Sequence, residues 1–118
     1  MIESKTIAEN YIASWNNTPD ARTAAMTAWA EDACYVDPMM SGEGRAGIAR
    51  MIDDAVKQFP GHRFTLCTEP DGHGAYVRFS WKLAPASGAA VARGTDIVRV
   101  DSEGRIAEVI GFLDEVVQ

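Results

Sequence analysis

The chain is short of positive charge. Its 11 lysines and arginines stand against 17 aspartates and glutamates, a net charge of -6. Grip on nucleic acid or on an anionic membrane needs a basic surplus to neutralise phosphates. The basic residues here are scattered without a run, so neither partner is expected. No apolar stretch approaches the ~18 residues that read as a membrane span. The opening Met1-Ile2-Glu3-Ser4-Lys5 lacks the basic start and apolar run of a secretion signal, and a cytoplasmic location is the expectation. Cysteine is scarce as well. Cys34 and Cys67 sit among strand-like residues and read as small buried hydrophobes rather than a disulfide. No His, Cys or acidic residues stand at metal-ligand spacing. Gly42-Glu43-Gly44 has no strand–helix context to make a nucleotide loop, and no Gly-x-Ser-x-Gly nucleophile turn is present. No metal and no cofactor are expected.

What is present is one domain. A chain of 118 residues, 47% hydrophobic and 24% charged, buries enough surface for a core without staples. Helices come first. Ile7, Ala8, Tyr11, Ile12 and Trp15 recur at helical spacing over residues 3–16, and Asn16-Asn17-Thr18-Pro19 ends that helix. A second helix is predicted over residues 20–29, with Ala21, Ala24, Ala25 and Ala28 as its close-packing face. Residues 33–37 form a short strand closed by Pro38. A third helix is predicted over residues 45–59, with the stripe Ile48, Met51, Ile52, Ala55, Val56 and Phe59. Strands follow at 62–69, 75–83, 90–100 and 105–116, and the turn residues between them set their ends. Helices grouped on one side of an antiparallel sheet of four or five strands make an α+β fold.

One carboxylate is out of place in this pattern. Alternation in the strand 90–100 puts Ala90, Ala92, Gly94, Asp96, Val98 and Val100 on one face, and Val91, Arg93, Thr95, Ile97 and Arg99 on the other. The arginines mark the outer face. Asp96 is therefore the one ionisable member of the inner face, where an apolar environment raises the pKa of a carboxyl. Small Ala92 and Gly94 beside it leave room for a ligand. An inward carboxyl of this kind is either paired structurally or is a chemical tool.

Two further residues join it. Tyr11 lies on the apolar stripe of the first helix, and Asp37 stands at a strand end before Pro38, a place that also suits an Asx-type turn. A phenol and a neutral carboxylic acid are donors, and a separate carboxylate is a proton acceptor. Two donors and one base can move a proton next to a carbonyl. Trp15, Met39, Met40, Phe79, Trp81 and Phe112 are candidates to line a substrate cavity, although most large apolar residues in such a chain are core. Met39 and Met40 follow Asp37-Pro38 at a rim, where methionine adapts to apolar ligands.

The segments Tyr11-Ile12-Ala13-Ser14-Trp15-Asn16, Trp29-Ala30-Glu31-Asp32-Ala33-Cys34-Tyr35-Val36-Asp37-Pro38 and Gly44-Arg45-Ala46-Gly47-Ile48 resemble the opening of the NTF2-like superfamily. Gly94-Thr95-Asp96-Ile97-Val98-Arg99-Val100 and Gly104-Arg105-Ile106 resemble its closing strands. Within it the chain is similar to the SnoaL-like and ketosteroid-isomerase-like branches. The resemblance implies an NTF2-like cone, with three N-terminal helices packed on a strongly curved antiparallel sheet that encloses a pocket. It implies Tyr11, Asp37 and Asp96 as catalytic residues: Asp37 as the shuttling base, Tyr11 and a neutral Asp96 as donors to an enolate. The polyketide-cyclase branch instead uses the inward aspartate as its acid/base. The expected substrate is a hydrophobic, carbonyl-bearing small molecule, turned over by an isomerase or a cyclase without a cofactor. The alternative is a non-catalytic binding or dimerisation module. A homodimer is expected in either case, through the mixed apolar and charged outer face that carries Val91, Ile97 and Tyr76.

Overall fold

The computed structural model describes residues 3–117. Helix α1 (Ser4–Asn16) buries Ile7, Ala8, Tyr11, Ile12, Ser14 and Trp15, the stripe that the spacing predicts, with Ser14 added. Its C-terminus is pinned to the sheet by one side chain. The Asn16 amide donates to the Phe64 carbonyl at 2.8 Å and accepts from the Phe64 N–H at 2.9 Å, standing in for a strand neighbour. Helix α2 (Pro19–Ala25) starts at Thr18, whose hydroxyl accepts from the Ala21 N–H, with proline at the first turn.

The predicted alanine face of the second helix is corrected by the structure. The helix stops at Ala25, a 3₁₀ turn follows (Met26–Ala28), and Trp29 already belongs to a strand. Ala24 is exposed, whereas Arg22 and Met26 are buried. Arg22 donates from Nε to Asp53 at 3.0 Å and from Nη1 to the Ser14 carbonyl. A buried guanidinium with these partners clamps α1 and α2 to the later helix that carries Asp53, a role that no apolar periodicity reveals. The Ser14 hydroxyl accepts from the buried indole of Trp29 at 2.9 Å and donates to the Asn10 carbonyl.

Strand β1 (Trp29–Val36) pairs with the short β2 (Ser41–Glu43), and α3 (Gly44–Val56) packs Ile48, Met51 and Ile52 inward. Then come β3 (His62–Leu66), β4 (Asp71–His73), β5 (Tyr76–Pro85), β6 (Ala92–Val100) and β7 (Ile106–Val116). They form one open, seven-stranded sheet of order β2-β1-β7-β6-β5-β3, with β4 paired to β5. The α+β class is as expected, and two details of the expected fold are corrected. The sheet is mixed, because β1 runs parallel to β7, and it has seven strands rather than four or five, the short β2 and β4 being the additions. Parallel pairing across such a sequence gap leaves no local signature. Cys34 is half-buried and Cys67 is exposed, so only the first approaches the buried site expected of both. No described helix is long and apolar enough to cross a membrane.

The alternation in β6 is as predicted. Gly94, Asp96, Val98 and Val100 are buried, while Arg93 and Arg99 point outward to pair with Glu115 and Glu108 of β7. Two register shifts between β6 and β7 bend this pair.

Candidate functional site

The inner face of the sheet, α1 and α3 enclose a cavity of about 700 Å³. Tyr11 reaches it from α1, Tyr35 and Asp37 from the end of β1, Trp81 from β5 and Asp96 from β6. Asp96, Asp37 and Tyr35 meet beside Gly111 of β7, the cross-strand partner of Asp96. A Cβ at Gly111 would lie 2.8 Å from Asp96 Oδ1, 3.1 Å from Asp37 Cβ and 3.6 Å from the Tyr35 hydroxyl. The missing side chain thus makes the space in which the two carboxyls and the phenol converge.

Asp96 is 2% exposed, and no described cation stands within ion-pair distance of it. Burial pushes its carboxyl up to about 6. The Tyr11 hydroxyl and the Trp81 indole N–H face it and offset part of that rise, while the nearby negative charges of Asp37 and Asp114 add to it. Burial, the Asp96 charge and the neighbouring Tyr35 hold the Tyr11 phenol well above its ordinary range, so it stays a donor. The Trp15 indole N–H is buried near the Tyr11 hydroxyl and has no well-formed partner.

Asp37 is engaged differently. Its Oδ2 accepts from the Tyr35 hydroxyl at 2.6 Å, and its Oδ1 accepts from the backbone N–H groups of Met39 at 2.7 Å and Met40 at 2.9 Å. The last two bonds are those of an Asx-type turn, which shapes the rim. Burial and the charges of Asp96 and Asp37 hold the Tyr35 phenol far above its usual range.

The sequence singles out Tyr11, Asp37 and Asp96, and the structure brings all three to one cavity. Trp15, Met39, Met40 and Trp81 line it as well. Phe79 does not reach the open space. It is buried beneath, with its ring centroid 5.2 Å from that of Tyr11. Phe112 is corrected outright: it is 54% exposed on the outer face, because Gly111 takes the inward position next to it. Leu113 lines the cavity instead. Tyr35 escapes the sequence reading, although the alternation that places Asp37 inward places Tyr35 there too. Among the described residues, no three His, Cys, Asp or Glu side chains gather as a metal site.

With this geometry in view, residues 8–109 match the family of SnoaL-like domains. The chain belongs to that family. This SnoaL-like chain is 52% identical to a "putative isomerase of the SnoaL-like family" from Agrobacterium tumefaciens, over 93% of its own length and 96% of the other chain, with a TM-score of 0.90. The fold recurs at 20% identity in a "putative polyketide cyclase" from Sinorhizobium meliloti, with a TM-score of 0.70 over 93% of this chain and 99% of that one. It recurs again in a protein of ketosteroid isomerase-like fold from Catenulispora acidiphila, solved in complex with trimethylamine. That pair is 20% identical, with a TM-score of 0.71 over 89% of this SnoaL-like chain and 82% of the other. No curated protein matches the chain significantly.

Proposed function

We propose that the cavity moves a proton next to the carbonyl of a hydrophobic small molecule, either shifting a double bond or closing a ring by an aldol-type step. The observation that carries the reading is Asp96, a buried carboxyl with no counter-cation among the described residues, which lines the cavity and is pushed up to about 6. A base with a pKa near the working pH is both available and strong. Its carboxylate takes a proton from the carbon beside the carbonyl. The C–H electrons move onto the carbonyl oxygen, which accepts a hydrogen bond from the Tyr11 hydroxyl. Asp96 then returns the proton, to another carbon in an isomerisation or to the new alkoxide in a cyclisation. Asp37, whose oxygens already accept three hydrogen bonds, holds the rim and keeps Tyr35 in place. Trp15, Trp81, Met39 and Met40 form the substrate walls. The names of the Agrobacterium and Sinorhizobium proteins fall in the same two reaction classes.

The test is deuterium uptake by an apolar β,γ-unsaturated cyclic ketone in heavy water, followed by NMR. Uptake above background is expected, with a loss of about 10²–10⁴-fold in Asp96→Asn, the usual contribution of a general acid–base. Asp37→Asn is expected to keep its rate within about tenfold. Equal uptake by the unaltered chain and Asp96→Asn would remove Asp96 from the chemistry. A larger loss in Asp37→Asn than in Asp96→Asn would move the shuttling role to Asp37.

We further propose that a second copy of the chain covers the outer sheet face. Val36, Ile110 and Phe112 are exposed there, and Val36 and Ile97 both pair in register with Ile110. An apolar strip running across β1, β7 and β6 suits a self-complementary interface. Sedimentation should show a dimer, and Phe112→Glu should shift it toward monomer without unfolding the chain. A monomer at every concentration would exclude this reading.

A further inference from the structure

The charges that line the cavity are lopsided. Asp37, Glu43, Asp54 and Asp96 stand against a single guanidinium, Arg50. The groups facing Asp96 are Tyr11 from α1, Tyr35 from β1 and Asp37 just past its end, and the uncharged Phe79 and Trp81 from β5, while Asp114 of β7, bonded to Thr95 on the outer face, adds a further negative charge nearby. None is a cation. An ionised carboxylate held out of water without a counter-charge is costly, and a second carboxylate beside it raises the cost. A ligand that brings a positive charge removes that cost; an anion increases it.

The walls suit the same ligand. Tyr35, Trp15, Phe64 and Trp81 form a continuous run of rings, with centroid steps of 5.8, 5.2 and 5.3 Å, and Tyr11 closes the run toward Asp96. Ring faces attract alkylated ammonium groups through their quadrupoles while offering them an apolar surface. A neutral ketone would gain from the apolar surface but would leave the carboxylates uncompensated.

We propose that the cavity binds hydrophobic ammonium ions, with the positive nitrogen held between the Asp96 and Asp37 carboxylates and the alkyl or aryl groups against the aromatic run. This goes beyond proton transfer and does not depend on it. The two ligand classes compete for one space and differ in their response to acid: binding of the ammonium needs Asp96 ionised, whereas binding of a neutral carbonyl compound does not.

The probe is benzyltrimethylammonium, a permanent cation, compared with its uncharged carbon isostere neopentylbenzene and with the anion benzylsulfonate. Binding is read from the indole N–H resonances of Trp15 and Trp81. At about pH 7.5 the cation should bind at least tenfold tighter than the isostere, and its affinity should fall by about tenfold at about pH 5 as Asp96 takes up a proton. Asp96→Asn should abolish that pH dependence and most of the preference, and Asp37→Asn should lose part of it. Equal binding of cation and isostere, an anion that competes as well as the cation, or a preference unchanged in Asp96→Asn would overturn the proposal. The probe carries no enolisable carbon, so its binding stands or falls apart from deuterium uptake.

Discussion

Replacing Asp96 by asparagine is expected to make the protein more stable and less active at once. Burial raises this carboxyl from its ordinary 3.8 to about 6. Between those two values the folded chain keeps a proton that the unfolded chain has released. The contribution of Asp96 to stability therefore falls as pH rises through that window, and the full cost is present above about 6. A shift of this size corresponds to roughly 2–3 kcal/mol at pH 7 to 8. Asparagine has the same shape and no charge to desolvate. Its melting temperature above neutrality should exceed that of the unaltered chain by about 5–10 °C, and the two should converge toward pH 4. The same exchange removes the group proposed to carry the proton. Gain of stability with loss of deuterium uptake marks a residue kept at an energetic cost for function. Thermal melts across the pH range settle the first half. Identical curves for the two proteins would mean that the carboxyl is not desolvated.

Gly94→Ala is expected to destabilise the sheet strongly. The indole of Trp81, its partner across β5 and β6, lies directly over Gly94. A Cβ there would meet Trp81 Cε2 at 2.6 Å and the Phe112 carbonyl oxygen at 2.7 Å. The ring can tilt; the backbone of β7 can do so only by breaking its ladder. A loss of about 2–4 kcal/mol is expected, in the range of overpacked cores. Because the displaced ring is also a cavity wall, ligand binding should weaken with it. A Trp81→Leu background makes room on one side, so the alanine should cost at least about 1 kcal/mol less there. Additive costs in chemical denaturation would show that the ring does not rest on Gly94.

Much of the site was legible because strand geometry is so regular. In β6, outward arginines mark the parity, and parity alone puts Asp96 inside. In α1, helical spacing puts Tyr11 on the buried stripe. Elsewhere the signal was there but silent. Tyr35 shares a face with Asp37, yet nothing local says that the end of β1 opens onto a cavity. At β7 the inward residue is Gly111, which carries no hydrophobicity, while the apolar signal sits on Phe112, which faces outward. Between Gly94 and Arg93 the partner jumps from Leu113 to Glu115, an irregularity that alternation cannot foresee. Arg22 is the opposite case, a charge that any pattern assigns to water. Only the simultaneous presence of Asp53 and the Ser14 carbonyl allows its burial.

The place of β7 in the sheet bears on how this chain reaches its native state. It lies between β1 and β6, so it alone joins the strands made early to the hairpins made later. Until residues 106–116 leave the ribosome, the pair β1–β2 has no sheet to join, and the apolar sides of α1 and α3 have nothing complete to cover. Contacts as distant in sequence as Trp29 with Ile106 close slowly, because their loop entropy is lost before they are made. The nascent chain is thus exposed to aggregation until β7 has been made, and the hollow beside Asp96 comes into being with that strand.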